Sequence, residues 1–377
     1  MTPGNKPRRL LADPPMAAVL AACAGVLGLR RAGAWSHPQF WAEDGYFYER
    51  ARDLGWRALV LPYNGYLHTV PRAIAAVATL CDPARVPGVF VAGAALMTLY
   101  VASRAQSARC PLPHAAGVCA LAVVLVPDTR EVLLNVVNLQ WVLAGGLVLL
   151  LLAGEPRRRG QAIHDAAAAA AFSLTGPFCI VMAPLFAWRA ARRRTRFSRV
   201  LLAVVALGAA VQAFLICTLP GIPTPGPDDP ARAGLLLQVI GRRIGGSIVL
   251  GSLLPPGMGA AGAAMLGLGT LAGVAFLAVR RGPIRGERIL LGLLFAVMLA
   301  SAFCRTWHTF SQYLFPASAS RYVYVPQLLA IWLLLAAAAQ GDRFGRVARG
   351  IAVAAALLNI PRYREPAYAD LHWDRYV

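Results

Sequence analysis

Between residues 35 and 72 the chain carries a density of chemically capable side chains found nowhere else along it, beginning Trp-Ser-His-Pro-Gln-Phe-Trp-Ala-Glu-Asp-Gly-Tyr. Glu43 and Asp44 are adjacent carboxylates set between Trp41 and Gly45. A carboxylate held where water is scarce gains proton affinity, because desolvation disfavours its charged form, and so becomes a general base near neutral pH. The plainer role for the pair is to open a helix near Tyr46, where acids complement the helix dipole. Trp35, His37, Trp41, Tyr46, Tyr48, Trp56, Tyr63, Asn64, Tyr66 and His68 add ring faces and hydrogen-bonding groups of the kind used to hold carbohydrate. Taken singly, each Trp or Tyr equally suits the aromatic belt at a membrane surface.

A base needs a reaction partner, and the cations beside apolar stretches point to an anionic one. His68, Arg72, Arg305, His308 and Arg321 are the candidates, since the planar fork of Arg matches phosphate oxygens. For any one of them the alternative is an interfacial side chain snorkelling to lipid headgroups. Arg72 and Arg321 stand out because neither belongs to a basic run. Asn135, Asn138 and Gln140 would lie near the end of a span, where hydrogen bonding to a neighbouring helix is the default. Asp228-Asp229, hemmed in by prolines, reads as a solvated turn. The seven cysteines are scattered without metal-ligand spacing, and neither a phosphate-binding glycine loop nor a serine nucleophile signature occurs.

The elements that must position these residues follow from composition. With 58% apolar side chains over 377 residues, the chain has more apolar surface than soluble cores could hide. It reads as an all-α, polytopic transmembrane helical bundle of about eleven spans. They fall at 15–30, 86–103, 112–127, 133–153, 162–174, 177–189, 199–219, 257–279, 288–304, 322–340 and 346–360. The net charge of +20 collects as Arg between spans, which marks the cytoplasmic side of a plasma membrane and contact with anionic lipids rather than nucleic acid. The same rule puts the N-terminus inside. It also forces residues 162–189, with Arg at both ends, to cross twice, turning at Ser173-Leu174-Thr175-Gly176-Pro177 with that turn reachable from outside. Residues 68–80 and 235–254, the latter interrupted by Arg242 and Arg243, read as interfacial or re-entrant helices. One membrane domain then occupies 1–360, its external loop 31–85 bearing the candidate active site, and 361–377 form an external tail.

A first span followed by an external loop with an acidic pair, here Phe40-Trp41-Ala42-Glu43-Asp44-Gly45, then interfacial helices and about ten more spans, resembles the GT-C membrane glycosyltransferases of bacterial cell envelopes. The resemblance implies a polyprenyl-phosphate-linked sugar as donor and an acceptor hydroxyl on the outer face. It nominates Asp44 first and Glu43 second as catalytic base, or as ligands of a divalent cation, the one cofactor it leaves open. Arg72, His68, Tyr63, Asn64, Arg305, His308 and Arg321 would bind substrate. The chain departs from the family in being short and in lacking a C-terminal soluble domain. A transporter or lipid-carrier flippase is the alternative, and it would place charge within the spans.

Overall fold

A computed structural model of the chain describes residues 14–113, 117–219, 232–306, 313, 318–365 and 373. The fold is helical, and among the described residues the only β pairing is two isolated bridges, Tyr63 with Tyr66 and His68 with Thr175. Seven described helical segments are long and apolar enough to cross a membrane, at 83–105, 196–218, 234–253, 260–279, 285–305, 320–338 and 343–363. The chain is thus a multi-pass membrane protein in which shorter apolar helices fill the space between.

In chain order the helices are α1 (Met16–Arg30), α2 (Ala32–Ser36), α3 (Asp44–Leu54), α4 (Thr69–Ala78), α5 (Val86–Ala105), α6 (Val118–Leu125), α7 (Leu139–Leu152), α8 (Arg159–Ser173), α9 (Phe178–Arg193) and α10 (Arg196–Thr218). After them come α11 (Arg232–Val239), which continues as a π-helical stretch over Ile240–Leu250, then α12 (Ala260–Val279), α13 (Arg285–Arg305), α14 (Ser320–Ala338) and α15 (Arg343–Tyr363). Helix α7 is the axis of the bundle, for every one of its residues is buried. Small residues let its neighbours close in, as van der Waals packing inside lipid requires. A Cβ at Gly146 of α7 would sit 2.6 Å from the Phe172 ring of α8, and one at Gly208 of α10 would sit 2.5 Å from Ser173.

Residues 159–193 form the expected pair of helices. Phe178 at the start of α9 packs on Trp141 near the start of α7, with ring centroids 4.7 Å apart, while Arg189 donates to the Leu150 and Leu151 carbonyls at the end of α7. The bend between α8 and α9 therefore lies level with the beginning of α7, and the outer ends of both helices lie level with its end. Accessibility is where the expectation fails. Ser173 and Thr175 are buried because the bend docks against the chain at 67–70 and under Gln212.

The fourth span also differs, since its helix begins at Leu139 rather than near 133. Asn135 and Asn138 are the cause: Asn135 Oδ1 accepts from the Asn138 amide and Asn138 Nδ2 donates to the Glu131 carbonyl, local bonds that compete with helix formation. They make no helix-to-helix bond of the expected kind. Around Arg242 and Arg243 the chain is helical and long enough to cross, and the buried Arg243 is tolerated because Asp128 pairs with it at 2.7 Å while the Tyr313 and Ser318 carbonyls accept from it.

Two ends of the bundle differ chemically. Helices α7 and α14 run parallel, with Trp141 against Tyr322 and Gly145 against Leu328, so their last turns share one end. At that end Arg104 and Arg109 hold Asp165, Arg189 and Arg193 approach Glu155, and Arg280 pairs with Asp342 at the start of α15. The opposite end gathers the acidic pair, the tyrosines of the first loop and the loop between α6 and α7.

Candidate functional site

The loop after α2 turns at Ala42, where a positive φ of 46° tightens the chain ahead of α3. Glu43 occupies the N-cap position of α3, yet no side chain caps that helix. Asp44 instead turns inward. One of its carboxylate oxygens accepts from the Trp41 amide and the other from the Val137 amide, each at 3.2 Å, so that it ties the first loop to the stretch before α7. It is 3% exposed, and burial pushes its pKa up to about 7 against the pull of those two amides. Glu43 points the other way and is partly exposed, beside the Tyr63 phenol.

Tyr63, Asn64, Gly65 and Tyr66 form a miniature hairpin. Tyr63 and Tyr66 exchange both backbone hydrogen bonds, and Asn64 and Gly65 take φ values of 53° and 86°, as a two-residue turn with both central residues left-handed demands. Burial, with the neighbouring Glu43 charge, pushes the Tyr63 pKa up to about 12. Tyr66 accepts at 3.3 Å from Gln140 Nε2, and the charges of Arg305 and Arg321 are felt at its hydroxyl. Arg321 is close enough to Glu43 to interact with it electrostatically, and the Glu131 carboxylate lies 3.8 Å away from it. Arg305, Arg321, Tyr66, Tyr63 and Glu43 thus share one electrostatic neighbourhood.

His68 and Arg72 lie deeper. His68 is 1% exposed, its ring 4.6 Å from that of Tyr66 and 5.5 Å from that of Phe47. Burial and the Arg72 charge push its pKa down to about 3, so the imidazole is neutral. Arg72 is fully buried, with its guanidinium 4.8 Å from the Phe47 ring centre and 5.8 Å from that of Tyr46. Asn64 is exposed at the hairpin tip, and His308 lies outside the described residues, as does Asp228-Asp229.

Two positioning residues, Glu131 and Gln212, were not singled out from sequence, and a third, Gln140, was read as bonding to a neighbouring helix. Glu131 accepts from the Arg321 amide at 3.2 Å and from the Ser320 hydroxyl, capping α14 while steadying Arg321. Gln140 reaches Tyr66. Gln212 accepts from the Leu67 amide and donates to the Leu67, Ser173 and Gly176 carbonyls, stitching the α8–α9 bend to the chain that carries His68. A lone amide within an otherwise apolar span was the signal for Gln212.

Among the described residues no three His, Cys, Asp or Glu side chains gather as a metal-ligand set. Both oxygens of Asp44 already accept backbone hydrogen bonds, so the acidic pair does not make a fitting divalent-cation site. The arrangement can do something simpler: take a proton on a partly exposed carboxylate beside fixed positive charge. No protein-family model, curated protein or solved structure matches the chain.

Proposed function

We propose that this chain is an inverting membrane glycosyltransferase of GT-C type that moves a sugar from a polyprenyl-phosphate-linked donor to an acceptor hydroxyl. The carrying observation is the grouping of Glu43 with Arg321 and Arg305 around Tyr63 and Tyr66. In this reading the acceptor oxygen attacks the anomeric carbon as the bond from that carbon to the phosphate oxygen breaks. Its electron pair leaves with the phosphate, which needs no acid but is stabilised by the two guanidinium groups. Glu43 receives the acceptor proton. We assign it the base in preference to Asp44, because a base must reach the proton it takes, and the Asp44 oxygens face backbone amides. Asp44 then holds the loop in place.

The reading extends to eleven crossings, made by α1, α5 to α10 and α12 to α15. Helix α10 ends and α12 begins at the end of the bundle that carries the candidate site, which makes the intervening α11 and π-helical stretch re-entrant. The Arg-rich end faces the cytoplasm of a bacterial cell, and the active face and the C-terminal tail lie outside. A flippase would need charge spread along a path, whereas the buried ion pairs here collect towards the two ends.

The test is transfer from a polyprenyl-phosphate sugar by purified protein. Glu43→Gln should lower turnover by about a hundredfold to ten-thousandfold while the protein stays folded. A variant with near-normal turnover would remove Glu43 from the chemistry.

A further inference from the structure

Buried arginines in this protein are almost all spoken for. Arg30 donates to the Val124 and Val126 carbonyls and to Thr129 and Glu365, and Arg189 to the Leu150 and Leu151 carbonyls; Arg243 pairs with Asp128, and Arg288 donates to the Arg280 carbonyl. Arg72 is the exception. It is 0% exposed, yet none of its three guanidinium nitrogens meets an acceptor in hydrogen-bonding geometry among the described residues, although the Tyr46 phenol is a neighbour. Beside it, neither ring nitrogen of the buried His68 meets a partner in good hydrogen-bonding geometry among the described residues, although the Tyr63 carbonyl is a neighbour. An unpaired buried charge is costly to keep, which points to a ligand that supplies the missing acceptor.

We propose that Arg72 and His68 form the receptor for a carboxylate carried by the sugar that this site handles. The Phe47 ring lies against the guanidinium and its three nitrogens are shut off from solvent, so a planar carboxylate reaches the donor edge of the fork as the surrounding rings part. Tyr46, Tyr63 and Tyr66, all partly exposed, supply ring faces on which the sugar can rest between the receptor and Glu43. Charge narrows the choice of anion. Arg72 brings one positive charge and the imidazole is neutral, so a monoanion balances the pocket; the donor's phosphodiester, itself a monoanion, is assigned to Arg305 and Arg321, which leaves a carboxylate for Arg72. The inference rests on the glycosyltransferase reading for the identity of the ligand as a sugar.

Ligand-induced stabilisation of the purified full-length chain tests it without turnover. Glucuronate should raise the thermal midpoint in a saturable way, glucose should not, and Arg72→Gln should weaken the apparent affinity about tenfold to a hundredfold. Arg72→Lys, which keeps the charge but loses the fork, and His68→Gln should give intermediate losses, which covers the case in which Arg72→Gln does not fold. Equal effects of glucose and glucuronate, or stabilisation by inorganic phosphate with none by glucuronate, overturn the proposal. So does an Arg72→Gln protein that is less stable without ligand yet keeps the full glucuronate shift, for then the guanidinium only braces the rings. A wild-type glucuronate shift that needs Arg72, in a protein that transfers nothing from any lipid-phosphate sugar, upholds the receptor while sinking the transferase.

Discussion

Asp44 binds its proton more tightly in the folded protein than in the unfolded chain, with a pKa near 7 against 3.8. The raised value means that folding takes up a proton between those two pH values. Its stabilising contribution is thus complete below about pH 4 and lost as pH rises through about 7. The apparent thermal midpoint of the wild type should fall across that window, and Asp44→Asn, which stays neutral and can still accept one of the two amides, should flatten the fall. Asp44→Ala should be worse at every pH, by about 1–3 kcal/mol, because it strands the Trp41 and Val137 amides. Residue types alone singled out Glu43 and Asp44, and Arg72, His68 and Arg321 with them. Which neighbour of the pair turns inward was not legible, since the deciding contact comes from Val137, far along the chain. The local role of Asn135 and Asn138 was hidden for a related reason: a polar residue in an apolar run does not declare whether it bonds across helices or within its own turn.

The α8–α9 bend is the element on which the first loop leans. The Gly176 amide donates to the Leu67 carbonyl and the Thr69 amide to the Leu174 carbonyl. Gly176 has a φ of 89°, and a Cβ there would strike Gln140 Oε1, the amide that positions Tyr66. Gly176→Ala should therefore lower both thermal stability and transfer, the second through Tyr66. Gln212→Leu, which leaves the buried Leu67 amide without an acceptor, should cost about 1–3 kcal/mol of stability, read as a lower midpoint. The bend was legible because Gly-Pro between two Arg-flanked apolar stretches leaves little else. Its burial was not, because hydropathy reports how apolar a segment is and not what packs over it. How the π-helical stretch carries its arginines was not legible either, because Asp128, which neutralises Arg243, is remote in sequence.

At the scale of the molecule, the two chemically distinct ends fix the sidedness to be measured. On a cysteine-free background, Asn64→Cys should react with an impermeant maleimide in intact cells, and Gly160→Cys, exposed at the Arg-rich end, should react only after permeabilisation. The opposite pattern would reverse the orientation, and reaction of both from outside would break the proposed crossing count. The chain after α15 also returns to the end of α1 and the first loop: Glu365 bridges Arg30 at 2.9 Å and Arg31 at 3.0 Å, and Trp373 stacks edge-on against Phe40 at 4.7 Å. Glu365→Gln leaves two buried cations without their carboxylate and should destabilise by about 3–5 kcal/mol, seen as a lower midpoint and poorer recovery from the membrane. Charge distribution made the alternation of sides readable from sequence, but no local pattern announces that residue 365 returns to residue 30.

The pairing of Asp165 with Arg104 and Arg109 bears on how the protein is made. Helix α8 is Ala-rich, short and charged, a poor candidate for entering a bilayer by itself. Both of its ion-pair partners, on or just after α5, leave the ribosome before it, whereas Gln212, which pins its far end, emerges some forty residues later on α10. The order of synthesis thus offers α8 its charged partners on and after α5 first and the Gln212 amide last. A nascent chain halted between α9 and α10 would hold the bend by its backbone bonds to Leu67 and Thr69, without the Gln212 amide that ties the two together.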